Sequence, residues 1–174
     1  MSEIAPLKLR LFLWADCPKH CPGCCNQDFD IPKLPICKSF AGYSEIMLTG
    51  GEPMLYPDIV LSIAKGIKDQ NNTAQLYLYT AMTTHPYELI EVLRHIDGLC
   101  VTLHEPDDLM PFLEFDKILR EHSNLHNKSF RLNVFRNISI EKHRTSLMNV
   151  WKIKSDMEWI VNCPLPTGET LMRF

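Results

Sequence analysis

Glycine is scarce in this 174-residue chain (7), and proline (12) is present without dominating. No segment is of low complexity and no motif repeats at a fixed period. These shortages exclude fibrous and disordered classes, whose signatures are compositional. No apolar run approaches the roughly 18 residues that a membrane helix needs. A basic start followed by an apolar run and a small-residue cleavage site is also missing, so no secretory leader is expected and the location expected is cytoplasmic. Nor is either sign of charge in large excess. The net charge of −3 argues against general affinity for nucleic acid. What remains, 45% hydrophobic and 22% charged residues, is the balance of one globular domain spanning residues 1–174.

Cysteine is not scarce. There are seven, an odd number, and a reducing compartment disfavours disulfides. Cys17, Cys21, Cys24 and Cys25 fall within nine residues, which in such a compartment argues for metal. Cys37, Cys100 and Cys163 are scattered and read as buried small hydrophobes. Charge is also uneven. Residues 117–154 hold nine Lys or Arg against Glu121 and Glu141, so that stretch carries +7 and the remainder −10. It is either a solvated face or a docking surface for an anionic partner.

Apolar runs at 7–14, 46–49, 75–81, 99–104, 130–135 and 158–161 read as strands. Between them, helical spacing covers 59–67, 87–96, 109–120 and 141–153, while Pro18, Pro22, Pro32 and Pro35 keep 16–35 irregular. Strand and helix alternate about six times without a long linker. That pattern predicts an α/β fold with parallel strands and outer helices, a partial (β/α)6 barrel rather than a closed eight-unit one. In such sheets ligands bind at the carboxyl ends of the strands, and both the cysteine loop and a Gly-Gly turn fall on that rim.

The loop Cys17-Pro-Lys-His-Cys21-Pro-Gly-Cys24 has the spacing C-x3-C-x2-C. Structural zinc wants four ligands in paired halves, and no second pair follows, although His20, Cys25 or Cys37 could complete a site. Three thiolates on one loop suit three irons of a four-iron cluster, leaving one iron open. Spacing alone leaves cluster, zinc and coincidence all standing.

Together with Leu48-Thr49-Gly50-Gly51-Glu52-Pro53 after the second strand, this loop resembles the radical S-adenosylmethionine (SAM) superfamily. The resemblance implies a [4Fe-4S] cluster on Cys17, Cys21 and Cys24, with SAM chelated at the open iron. It implies reductive cleavage of SAM to a 5′-deoxyadenosyl radical and hydrogen abstraction from a substrate, and a reductant such as flavodoxin or ferredoxin. Gly50, Gly51, Glu52 and Pro53 would then face the SAM amino group, the glycines letting backbone approach the ligand. Thr80, His104 (with Glu105) and Asn133, at or near the ends of later strands, are the further SAM contacts it implies. Many members carry an aromatic before the third cysteine, near adenine; this chain has Gly23. Pro22-Gly23-Cys24-Cys25-Asn26 is instead similar to small glycyl-radical activases such as the anaerobic ribonucleotide reductase activating protein, which points to a protein or peptide substrate. Small-molecule chemistry of the deazaguanine synthase kind is the alternative, although those enzymes follow the third cysteine with Asp and Thr. A metal-binding module without catalysis is the alternative of a different class. No membrane or nucleic-acid partner is expected.

Overall fold

The computed structural model describes residues 7–174. Strand β1 (Leu7–Phe12) leads into a long irregular loop, as the four prolines require, and β2 (Tyr43–Thr49) lies parallel beside it. Then α1 (Pro57–Gln70), β3 (Gln75–Thr80), α2 (Pro86–Leu93), β4 (Gly98–Leu103), α3 (Leu109–Glu121) and β5 (Ser129–Phe135) follow in strict alternation. Prolines at the first turns of α1 and α2 occupy the position where a missing N–H costs nothing. Val60, Ile63, Ala64 and Ile67 make the buried stripe of α1; Phe112, Phe115 and Leu119 make that of α3.

The C-terminal third departs from the sequence reading. The expected helix over 141–153 is a single turn, α4 (Arg144–Leu147), and the chain then extends as β6 (Lys152–Met157). Trp151 explains the early stop. Its ring is buried against Phe112, Phe115 and Phe130, and its indole N–H donates to the buried Asp116 carboxylate at 2.8 Å. Continued helix would carry the next residues away from β5, whereas extension pairs Arg131 with Lys152 and Leu132 with Ile153. Residues 158–161, expected as the last strand, are not one, and Ile160 and Val161 are exposed. An unexpected strand, β7 (Glu169–Arg173), pairs parallel with β1.

The result is one all-parallel, seven-stranded sheet in the order β6-β5-β4-β3-β2-β1-β7, with helices flanking it in a partial-barrel-like α/β fold. The expected fold class is therefore present with one more strand than expected. Leu9, Leu11, Ile46, Leu48, Leu76, Leu78, Val101 and Leu132 are fully buried and join the apolar stripes of the helices in one core. Among the described residues, no helix is long and apolar enough to cross a membrane.

Candidate functional site

The cysteine loop and the Gly-Gly turn leave neighbouring parallel strands at the same edge, and their backbones zip together. Leu13 N–H donates to Thr49 O at 3.0 Å, Gly51 N–H to Trp14 O at 2.6 Å and Glu52 N–H to Asp16 O at 2.8 Å. Side chains add two more ties: Asn26 Nδ2 to Gly50 O at 2.6 Å and Trp14 Nε1 to Glu52 O at 3.0 Å. This changes the reason for the glycines. A Cβ on residue 51 would stand 2.1 Å from Asp16 O, and one on residue 50, whose φ is +140°, 2.7 Å from Trp14 O. Here the close approach that demands glycine is that of the cysteine loop's own backbone.

Cys17, Cys21 and Cys24 are half-buried and unbridged. Burial pushes the Cys21 thiol up to about 11, and negative charge on Cys24 and Cys17 pushes in the same direction. Cys17 is raised as well, by burial first, against a backbone hydrogen bond from Lys19, and again with Cys24 contributing repulsion. The three sulfurs thus lie within one another's electrostatic reach. Thiolates that repel one another are stabilised by a cation placed among them, so the donor set fits a thiophilic metal or cluster. Among the described residues, no three His, Cys, Asp or Glu side chains stand already drawn together at ion-holding distance.

Two cysteines behave differently from the sequence reading. Cys25, next to the third thiol, is disulfide-bonded to Cys163, 138 residues away. The bridge sets the segment after β6 against the cysteine loop, and Cys163 N–H donates to Asp28 at 2.8 Å. Cys100, by contrast, is buried as expected, and Cys37 is half-buried with its thiol donating to Ser39 O at 3.4 Å.

Glu52 is the hinge pin of the rim. It is 2% exposed, and its carboxylate accepts from Met54 N–H at 2.9 Å, Ala81 N–H at 2.8 Å and the Thr80 hydroxyl. Burial raises its pKa while those three donors lower it. Thr80, 5% exposed, also accepts from Met82 N–H at 2.9 Å. Its hydroxyl is spent on holding Glu52 and the turn after β3. Pro53 is buried and opens a short 3-10 turn.

A cleft of about 500 Å³ opens beside this cluster, lined in part by Lys19, His20, Glu52, Met82, Glu105 and Asp108. Lys19, from the cysteine loop, meets Asp108 at 2.5 Å, while the other Asp108 oxygen accepts from His104 and Glu105 N–H at 2.8 and 3.0 Å. One carboxylate therefore joins the loop to the end of β4. His104 stacks on Trp159 (5.2 Å between centroids, 13° between planes) and touches Phe135. Burial, then the nearby Lys19 charge, lowers its pKa below the ordinary histidine value and favours the neutral imidazole. Its Nδ1 is buried without a hydrogen-bond partner among the described residues.

Trp159 is a residue that the sequence reading passed over. Its Cβ and Cγ lie 2.6 and 2.9 Å from where a side chain at residue 23 would begin. The space beside Gly23 is thus filled by an aromatic ring from 136 residues further on. A smaller cleft, about 300 Å³, lies between Gly23, Cys24 and Trp159.

The structure brings Cys17, Cys21, Cys24, Gly50, Gly51, Glu52, Pro53, Thr80 and His104 to one rim. Asn133 lies apart. It is the fifth residue of β5, and its Nδ2 donates to Thr102 Oγ1 and Cys100 Sγ, both at 3.3 Å, on the sheet face away from the helices. No protein-family model matches the chain, and a search of curated proteins finds no match.

Proposed function

We propose that this chain is a radical SAM enzyme. The observation that carries the reading is the rim: three unbridged thiols on one loop, zipped by backbone bonds to a Gly-Gly-Glu-Pro turn, beside a cleft large enough for a ligand. Cys17, Cys21 and Cys24 would hold a [4Fe-4S] cluster. When bound, that cluster and SAM supply one-electron cleavage of the sulfonium to methionine and a 5′-deoxyadenosyl radical that takes hydrogen from a substrate.

The chain's own residues do the positioning. Glu52 presents a fixed carboxylate at the cleft wall, with one Oε2 lone pair beyond its three donors left for an ammonium group. Thr80, its hydroxyl bonded to Glu52, orients that carboxylate. Lys19, held by Asp108, keeps the cysteine loop against β4, and His104 stacks with Trp159 on the far side. Electrons must arrive from a separate reductant, such as a flavodoxin or a ferredoxin.

Anaerobic reconstitution tests the reading. Wild type should take up iron and acid-labile sulfide in equal amounts, with the broad ~400 nm absorbance of such clusters. Reduced, it should cleave SAM slowly without substrate. Cys17→Ala, Cys21→Ala and Cys24→Ala should each lose the absorbance, and Cys25→Ala should keep it. Zinc without sulfide would overturn the reading in favour of a metal-binding module.

A further inference from the structure

Parallel sheets in α/β proteins are ordinarily covered on both faces and apolar on both. Here the buried residues of α1, α2 and α3 all join one face, with Leu9, Leu48, Leu78, Val101 and Leu132. Phe12, Met47 and Cys100 are buried on the opposite face and stand outside that core. This second face is polar, and its two ends differ. Towards β7 the cations have acceptors: Lys8 meets Glu45 at 3.2 Å, Arg10 meets Glu169 at 2.8 Å, and Arg173 donates to Leu34 O at 3.2 Å. Towards β6, Arg131, Lys152 and Lys154 are exposed, and none forms a salt bridge among the described residues.

The register fixes these three on one surface. Arg131 is the direct partner of Lys152, and Asn133 of Lys154, while the intervening Leu132 and Ile153 pack into the core. Like charges directly opposite on neighbouring strands destabilise a sheet. A fold that keeps two of them opposed, with a third one pleat further on, is relieved by an anion lying across them. Arg131 is also held in place. Its guanidinium sits 5.5 Å from the centroid of the Tyr77 ring, which lies over Gly98 at 2.8 Å from where a Cβ would be.

We infer that the β5–β6 end of this face binds the phosphoryl group of a small phosphorylated molecule. The charge matches a phosphate better than a carboxylate, since three cations exceed what one carboxylate neutralises and the Arg fork suits phosphate oxygens. The size also decides. Adjacent strands lie about 5 Å apart and alternate residues about 7 Å, so the patch spans one or two phosphoryl groups. It does not continue as a track for a polynucleotide, because Ser129 and Asp156 follow along the two strands. Four of the six other cations of the 117–154 stretch point elsewhere: Arg120 to Asp116, Arg144 to Glu141, Arg136 to Glu158, and Lys128 to Ile96 O. That the bound molecule is the substrate rests on the proposed function; that the face binds it does not.

Calorimetric titration of the full chain with inorganic pyrophosphate tests this without any cluster. Arg131→Gln/Lys152→Gln should weaken binding tenfold or more, while Lys117→Gln/Lys142→Gln, which removes the same charge elsewhere, should leave it unchanged. The first variant should also melt at a higher temperature than wild type without ligand, because the opposed charges are gone. Equal weakening in both variants would overturn the site in favour of diffuse attraction. Wild type that ignores pyrophosphate yet binds an oligothymidylate 20-mer would overturn it in favour of nucleic acid. A chain that binds pyrophosphate through Arg131 and Lys152 but never takes up sulfide would leave this inference standing and remove the radical SAM reading.

Discussion

The two faces of the sheet are made by the same strands, residue by residue, yet obey different rules. On the helix side, Leu99, Val101 and Leu103 of β4 alternate inward and are essentially fully buried. On the other side, Cys100 Sγ and Thr102 Oγ1 of the same strand each accept from Asn133 Nδ2 at 3.3 Å. The first face is chosen for volume, the second for polarity and for space. Stability is thus concentrated on one side of a single layer, leaving the other side and the rim free to carry chemistry.

Adjacent residues of β5 give the sharpest test of that division. Leu132 is fully buried on the helix face, and Leu132→Ala should cost about 2–5 kcal/mol in urea unfolding, the usual range for a buried leucine. A cost below that of a surface change would break the comparison. Gly51→Ala tests the rim. Its Cβ would meet Asp16 O at 2.1 Å, a backbone atom that cannot swing aside. Overpacking of this kind costs about 1–3 kcal/mol, and the cysteine loop should be displaced. Iron uptake should therefore fall in Gly51→Ala even where circular dichroism shows a folded chain; normal uptake would mean that the loop is not held by the turn.

How legible this was in the sequence differs along the chain. Strands β1 to β5 announce themselves as apolar runs because they are central, and Pro57 and Pro86 mark the helix starts. The same rule misreads β6. Lys152-Ile153-Lys154-Ser155 alternates as a strand with one wet face, but Lys152 and Ile153 also fit the end of the helical spacing over 141–153. Strand β7 has no strong local signal; it exists because it completes a ladder with β1, about 160 residues away. At the rim, the thiol spacing and the Gly-Gly-Glu-Pro turn were visible, being local. The Cys25–Cys163 bridge, the Lys19–Asp108 latch and Trp159 over Gly23 were not, since each joins residues distant in sequence. The role of Thr80 was visible only in part: position placed it on the rim, and geometry turned its hydroxyl towards Glu52.

Asn133, next to Leu132 but on the polar face, should respond far less. Its bond to Thr102 is long and its other acceptor is a weak one, the Cys100 sulfur, and Asn133→Ala should cost about 0.5–1.5 kcal/mol, the net worth of an ordinary hydrogen bond. A loss equal to that of Leu132→Ala would show that the uncovered face also carries the fold, and would erase the distinction between the two sides.

The smallest effect concerns His104, where the rim meets the end of β4. Burial and the Lys19 charge lower its folded pKa from the ordinary 6.5, against Asp108 and Glu105, which raise it. The unfolded chain therefore takes up a proton at a higher pH than the folded one. Stability from this group is fully present above about pH 6.5 and is lost as the pH falls towards the folded value. His104→Phe keeps a flat ring against Trp159 and removes an Nδ1 that has no partner among the described residues, so the fold should survive it. Urea midpoints at pH 7.5 and 5.5 should then fall more steeply for wild type than for His104→Phe. Parallel slopes would mean that His104 titrates as it does in water, and that the stack with Trp159 and Phe135 does not shield it.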